Sequence, residues 1–126
     1  MTVRVTSVFC DDIRQESNGK LIFIGVYPID LVPGAMPSTF PMALWLRAEG
    51  VGKGDHSFTF KLTGPNGELI LEQEDRLNLP EDDKPLVLLF AGFLVSITKT
   101  GEIRGTLTLD GQDYEAARLI ITAPPA

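Results

Sequence analysis

The sequence predicts an all-β fold, a two-layer antiparallel β-sandwich. Three observations predict it. Runs rich in β-branched and aromatic residues recur along the whole chain, and several alternate apolar with polar residues at period 2. Clusters of Gly, Pro, Asn and Asp punctuate these runs every 8–12 residues or so, the spacing of sandwich strands. No stretch carries a convincing 3.6-residue apolar period, so no long helix is expected.

The first strand is Val3–Phe9, where Val3 and Val5 alternate with Arg4 and Thr6. Residues Asp11–Asn18 then read as a connection with room for one helical turn, ending in the turn signal Asn18-Gly19. Leu21–Tyr27 has no polar residue between Leu21 and Val26, so both its faces should be covered, as in a central strand. Pro28, Pro33, Pro37 and Pro41 follow, and proline removes a ladder donor, so 28–41 should be an extended loop or a broken edge strand. Met42, Leu44 and Leu46 alternate with Ala43, Trp45 and Arg47 as a third strand.

Gly50–Asp55 is a turn region, and His56–Thr63 carries the cleanest period-2 pattern of the chain. The turn Gly64-Pro65-Asn66-Gly67 joins it to a short strand at Leu69–Leu71, a hairpin. Glu72–Lys84 is polar and acidic and reads as an irregular crossover. Leu86–Val95 is a buried strand in which Gly92 marks a bend or bulge. After a turn at Thr98–Gly101, Ile103, Gly105, Leu107 and Leu109 share one face. Asp110-Gly111 then makes a two-residue hairpin turn leading into Gln112–Thr122, before Pro124-Pro125. The count is about eight strands. The Gly101–Gly111 ending resembles the last hairpin of many immunoglobulin-like domains, so the sandwich is expected to be immunoglobulin-like, with a jelly roll or C2-like sandwich as the alternative.

With 126 residues the chain is expected to be a single domain spanning 1–126. At 44% hydrophobic and 22% charged residues it can bury a core, and it lacks the composition of a disordered chain. The 11 basic and 17 acidic residues leave a net charge of −6, with no basic block. That charge disfavours nucleic acid and anionic membrane surfaces as partners. A single cysteine, Cys10, allows no internal disulfide. The N-terminus has no signal-peptide pattern, and the longest apolar run, Leu86–Val95, is far short of the ~20 residues of a membrane span. The location expected from these features is cytoplasmic.

Phe9–Tyr27 reads FCDDIRQESNGKLIFIGVY. The segments Cys10–Glu16, Asn18-Gly19-Lys20 and Ile24-Gly25-Val26-Tyr27 resemble a family of small bacterial proteins of uncharacterised function, which run Cys-(Asp/Glu)-Asp-Ile-Arg-x-Glu, then Asn-Gly-Lys, then Ile-Gly-Val-Tyr. Gly54-Asp55-His56 and the Pro-Asn-Gly turn fit more loosely. The resemblance implies a compact sandwich in a bacterial or phage setting, and it brings no catalytic residue.

No catalytic signature stands in the chain. His56, the single histidine, is a candidate base or metal ligand, but its place at the start of a strand on the Phe58/Phe60 face reads as structural. Cys10 is a candidate nucleophile for a Cys10/His56 dyad, but it ends an apolar strand with no oxyanion loop, the place of a buried, inert thiol. Gly50, Gly52 and Gly54 precede a strand, so they lack the helix N-terminus of a phosphate loop. Carboxylates gather at Asp11, Asp12 and Glu16, at Glu72, Glu74 and Asp75, and at Glu81, Asp82 and Asp83. Of these, Asp11, Asp12, Glu16, Asp82 and Asp83 are the candidates for a Ca²⁺ site if end loops converge; solvated loops are the plainer reading. Arg14 held by Asp12 and Glu16 is a structural alternative. Trp45 is either a core residue or, with Phe40, a contact surface.

The function expected is therefore that of a non-enzymatic bacterial interaction or assembly domain without a cofactor. Its partner would be a protein of unknown identity or a second copy paired through a sheet edge. A Ca²⁺ or carbohydrate module using acidic end loops is the alternative, and a Cys/His hydrolase-type enzyme the third reading.

Overall fold

The structure, a computed structural model, describes residues 2–28 and 30–124. Among the described residues nine strands form: β1 (Arg4–Gln15), β2 (Leu21–Val26), β3 (Asp30–Leu31), β4 (Ser38–Glu49), β5 (Gly54–Thr63), β6 (Leu69–Leu79), β7 (Leu86–Ile97), β8 (Gly101–Leu109) and β9 (Gln112–Ile121). They make a four-stranded sheet in the order β2-β1-β4-β7 and a five-stranded sheet in the order β3-β9-β8-β5-β6. Every pairing is antiparallel except β3 with β9, which is parallel. The all-β sandwich expected from the sequence forms, with one sheet mixed rather than wholly antiparallel. Among the described residues no helix is long and apolar enough to cross a membrane.

Alternation builds the core between the sheets. Met42, Leu44, Leu46 and Ala48 of β4 face Phe58, Phe60 and Leu62 of β5 and Ile103, Leu107 and Leu109 of β8 in one buried cluster. Phe60 and Phe90 stack across the two sheets with centroids 5.2 Å apart. Gly105 makes this possible, since a Cβ there would stand 2.7 Å from the Phe60 ring and 3.0 Å from Ala117 Cβ. The β4–β7 register shifts around Gly92, whose φ is 71°, so the expected bulge is present. The Asp110-Gly111 turn has φ of 49° and 84°, the left-handed pair that a two-residue hairpin needs.

Three expectations are corrected. Leu21–Val26 is not central: β2 is an outer strand of its sheet, with Ile22, Ile24 and Val26 exposed. Its unbroken apolar run reflects one face packed on Trp45 and another left open, not two covered faces. Asp11–Gln15 holds no helical turn, because β1 runs on to Gln15 and pairs with β2 there. Glu72–Leu79 is not a crossover; β6 continues through it, pairing with β5 as far as Leu79–Gly54. The proline stretch holds the broken edge strand that was expected there, β3, which brings the strands among the described residues to nine against the eight or so expected.

Candidate functional site

β1 and β4 are paired from Arg4–Glu49 to Cys10–Ala43. In the same register, Asp11 would next face Met42, and Gln15 would face Ser38. None of those pairs forms: beyond Cys10 β1 keeps only β2, and before Ala43 β4 keeps only β7. The sheet therefore forks. The residues at the fork show why. Asp12 would face Pro41, which has no N–H to donate, and the Ile13 N–H is taken by Asp12 Oδ1 at 2.9 Å. Gly25, opposite Asp11, has φ of 69°, and the pleat breaks there. After the break Ile13 and Phe23 turn to the outer face with Cys10 and Ala43, where Phe23 meets Trp45 at a centroid distance of 5.6 Å.

A cleft of about 380 Å³ lies in the fork, lined by Asp11, Tyr27, Leu31, Val32, Pro33, Gly34, Ser38, Phe40 and Pro41. Its walls are largely apolar, and one polar pair stands in it: the Tyr27 hydroxyl donates to Asp11 Oδ1 at 2.8 Å. Burial, and then the Asp11 carboxylate, push the Tyr27 hydroxyl up to about 12, so it keeps its proton. Gly25 lets Asp11 take this position, because a Cβ there would overlap the Asp11 carboxylate. Asp11, Gly25 and Tyr27 thus form one unit. A larger depression, about 600 Å³, lies over Ser57, Thr59, Glu74, Asp75, Arg76 and Thr108 on the five-stranded sheet. Phe58 lends it some apolar wall, but polar groups dominate its lining, whereas apolar ones dominate the fork, so the fork is the better site.

His56 lies at the opposite end of the strands. Its Nε2 faces the Gly52 carbonyl at 2.8 Å, and its Nδ1 faces Asp110 Oδ2 at 2.6 Å. Both neighbours are acceptors, an environment that favours the doubly protonated ring over the neutral one. The Asp110 hydrogen bond leads in raising the His56 pKa above its ordinary 6.5, and that of Asp110 is correspondingly lowered. Asp110 Oδ1 also accepts the Ser57 N–H at 3.0 Å. With both ring nitrogens engaged, His56 ties the Gly52 turn to Asp110.

The structure does not bring the other sequence candidates together. Cys10 is fully buried in the four-stranded sheet, its thiol donating to the Asp12 carbonyl at 3.3 Å, and burial leads in pushing its pKa up. His56 is in the other sheet, bound to Asp110 and Gly52, so no Cys10/His56 dyad is assembled. The acidic loops do not converge. Asp12 pairs with Arg14 at 3.1 Å at the fork end, whereas Asp82 accepts the Lys53 N–H at 2.9 Å at the His56 end. Among the described residues no group of three or more His, Cys, Asp and Glu side chains is placed to hold a metal ion; Asp11, Asp12, Glu16, Asp82 and Asp83 make no joint site. Trp45 and Phe40 do not share a surface: Trp45 packs on Phe23, and Phe40 packs on the main core and lines the cleft. Sequence reasoning missed the Asp11–Tyr27 pair, although both residues stood in the stretch that carried the family resemblance.

A model of the family of unknown function DUF6941 matches residues 5–122, so the chain belongs to that family. This fits the uncharacterised family expected from the N-terminal stretch. No curated protein matches the chain.

Proposed function

As a member of a family without an assigned activity, the chain must be read from its own site, and we propose that it is a non-enzymatic interaction domain that holds a partner protein in the fork of its four-stranded sheet. The forked sheet carries this reading. Two strand arms that continued pairing would zip shut stand open over an apolar cleft, with Val32 exposed at 55% on its wall. Supporting the non-enzymatic part is the chemistry of the groups present: a buried thiol of raised pKa, and a histidine whose two ring nitrogens are both engaged by acceptors. The resemblance of Phe9–Tyr27 favours a bacterial setting.

Capture of partners from a lysate by the tagged protein tests this, run beside Val32→Arg in the cleft and Leu69→Arg on the exposed edge of β6. The expected result is a stoichiometric partner lost with Val32→Arg and kept with Leu69→Arg. Capture indifferent to Val32→Arg would refute the fork as the docking surface.

A further inference from the structure

We infer that the segment held in the fork is an extended stretch of a partner protein carrying an apolar side chain next to a Lys or Arg. The inference rests on the fork being the interaction surface, and it adds the chemistry of the occupant. The cleft walls set the apolar half: Leu31, Val32, Pro33, Phe40 and Pro41 offer hydrocarbon surface and little to hydrogen-bond.

The charge sets the other half. Asp11 is the one charged residue among the described residues that line the cleft. One of its oxygens accepts the Tyr27 hydroxyl, and it enters no ion pair among the described residues. Tyr27 keeps its proton and so fixes Asp11 as an acceptor at the rim of an apolar cleft. No Lys, Arg or His among the described residues lines the cleft to balance it. A carboxylate so placed is complementary to an ammonium or guanidinium, and it bars an acidic segment by like-charge repulsion. The backbone sets the extended form. Asp11–Gln15 and Ser38–Met42 have no ladder partner across the fork; Pro41 and the Ile13 N–H, held by Asp12, offer no donor there, and an extended chain would pair with the other edge groups.

Selection from a displayed library of random peptides tests this, with the enriched peptides titrated against wild type, Asp11→Asn and Val32→Arg. Asp11→Asn keeps the shape and the acceptor for Tyr27 and removes only the charge. Enriched peptides should carry Lys or Arg beside an apolar residue, lose binding to Val32→Arg, bind Asp11→Asn roughly tenfold more weakly, and weaken with added salt. Peptides that need Val32 but are neutral or acidic, and bind Asp11→Asn as well as wild type, would overturn the chemistry and leave the fork as the docking surface. If no enriched peptide is sensitive to Val32→Arg, both readings fall. A dimer of this chain that Val32→Arg dissociates, with no such peptide enriched, would put a second copy in the fork and overturn the inference.

Discussion

The two ends of the sandwich are built from opposite materials. At one end polar side chains tie separate loops together. Asp110 binds His56 and Ser57, His56 reaches on to Gly52, Asp82 accepts from Lys53, and Asn78 donates to Asp55 at 2.7 Å. At the other end the sheet splits, the walls are apolar and proline-rich, and among the described residues Tyr27–Asp11 is the one polar side-chain pair in the cleft. The difference separates two tasks within one small fold. The closed end holds the sandwich together, and the open end leaves apolar surface and strand edges for something else.

The sharpest way to break that contrast is Gly50→Ala at the closed end. Gly50 has φ of 80°, which strains any L side chain, and an added Cβ would run into the Thr2 backbone carbonyl oxygen, so the chain ahead of β1 would have to shift. The expected loss is roughly 2–3 kcal/mol in denaturant unfolding; an unchanged midpoint would mean that this end is loose. Asp110→Ala comes next, at about 1–2 kcal/mol near pH 6, because it strands the His56 ring and the Ser57 N–H.

The same clamp predicts a pH profile. The pKa of His56 is raised, so its contribution is full below 6.5 and is lost as pH rises through the raised value. The pKa of Asp110 is lowered, so its contribution is full above 3.8 and is lost as pH falls through the lowered value. The clamp is therefore tightest between pH 3.8 and 6.5, and thermal melts above 6.5 should show a declining Tm that His56→Gln flattens. A wild-type Tm flat across that rise would discard the imidazolium. The open end should respond least: Tyr27→Phe removes one hydrogen bond to an exposed carboxylate, about 0.5–1 kcal/mol. Val32→Arg should stay within about 0.5 kcal/mol of wild type by the same unfolding assay.

Much of the fold was legible because period 2 and turn chemistry are local. His56–Thr63, the Asp110-Gly111 hairpin and the Gly92 bulge each announce themselves in a few residues. Outer strands were harder to read. β2 hid its edge position behind an unbroken apolar run, since strand order is not written in periodicity. β6 hid as a loop because the charges that keep an outer edge from pairing with other chains also blur the alternation. The site was less legible still. The fork consists of pairs that do not form, and of its causes only Pro41 and Gly25 are visible as residue types. His56 and Asp110 lie 54 positions apart, so their bond exists only once β5 and β8 are neighbours.

The β1–β2 hairpin beyond Cys10 has a consequence for time rather than shape. Its backbone ladder joins no other strand, and its outer face leans on the rest of the molecule at Phe23 and Trp45. Such an arm can lift away while the paired stretch from Arg4–Glu49 to Cys10–Ala43 stays shut. Amide protons at Ile13, Ile22 and Ile24 then exchange with solvent faster than those of Leu44 and Leu46.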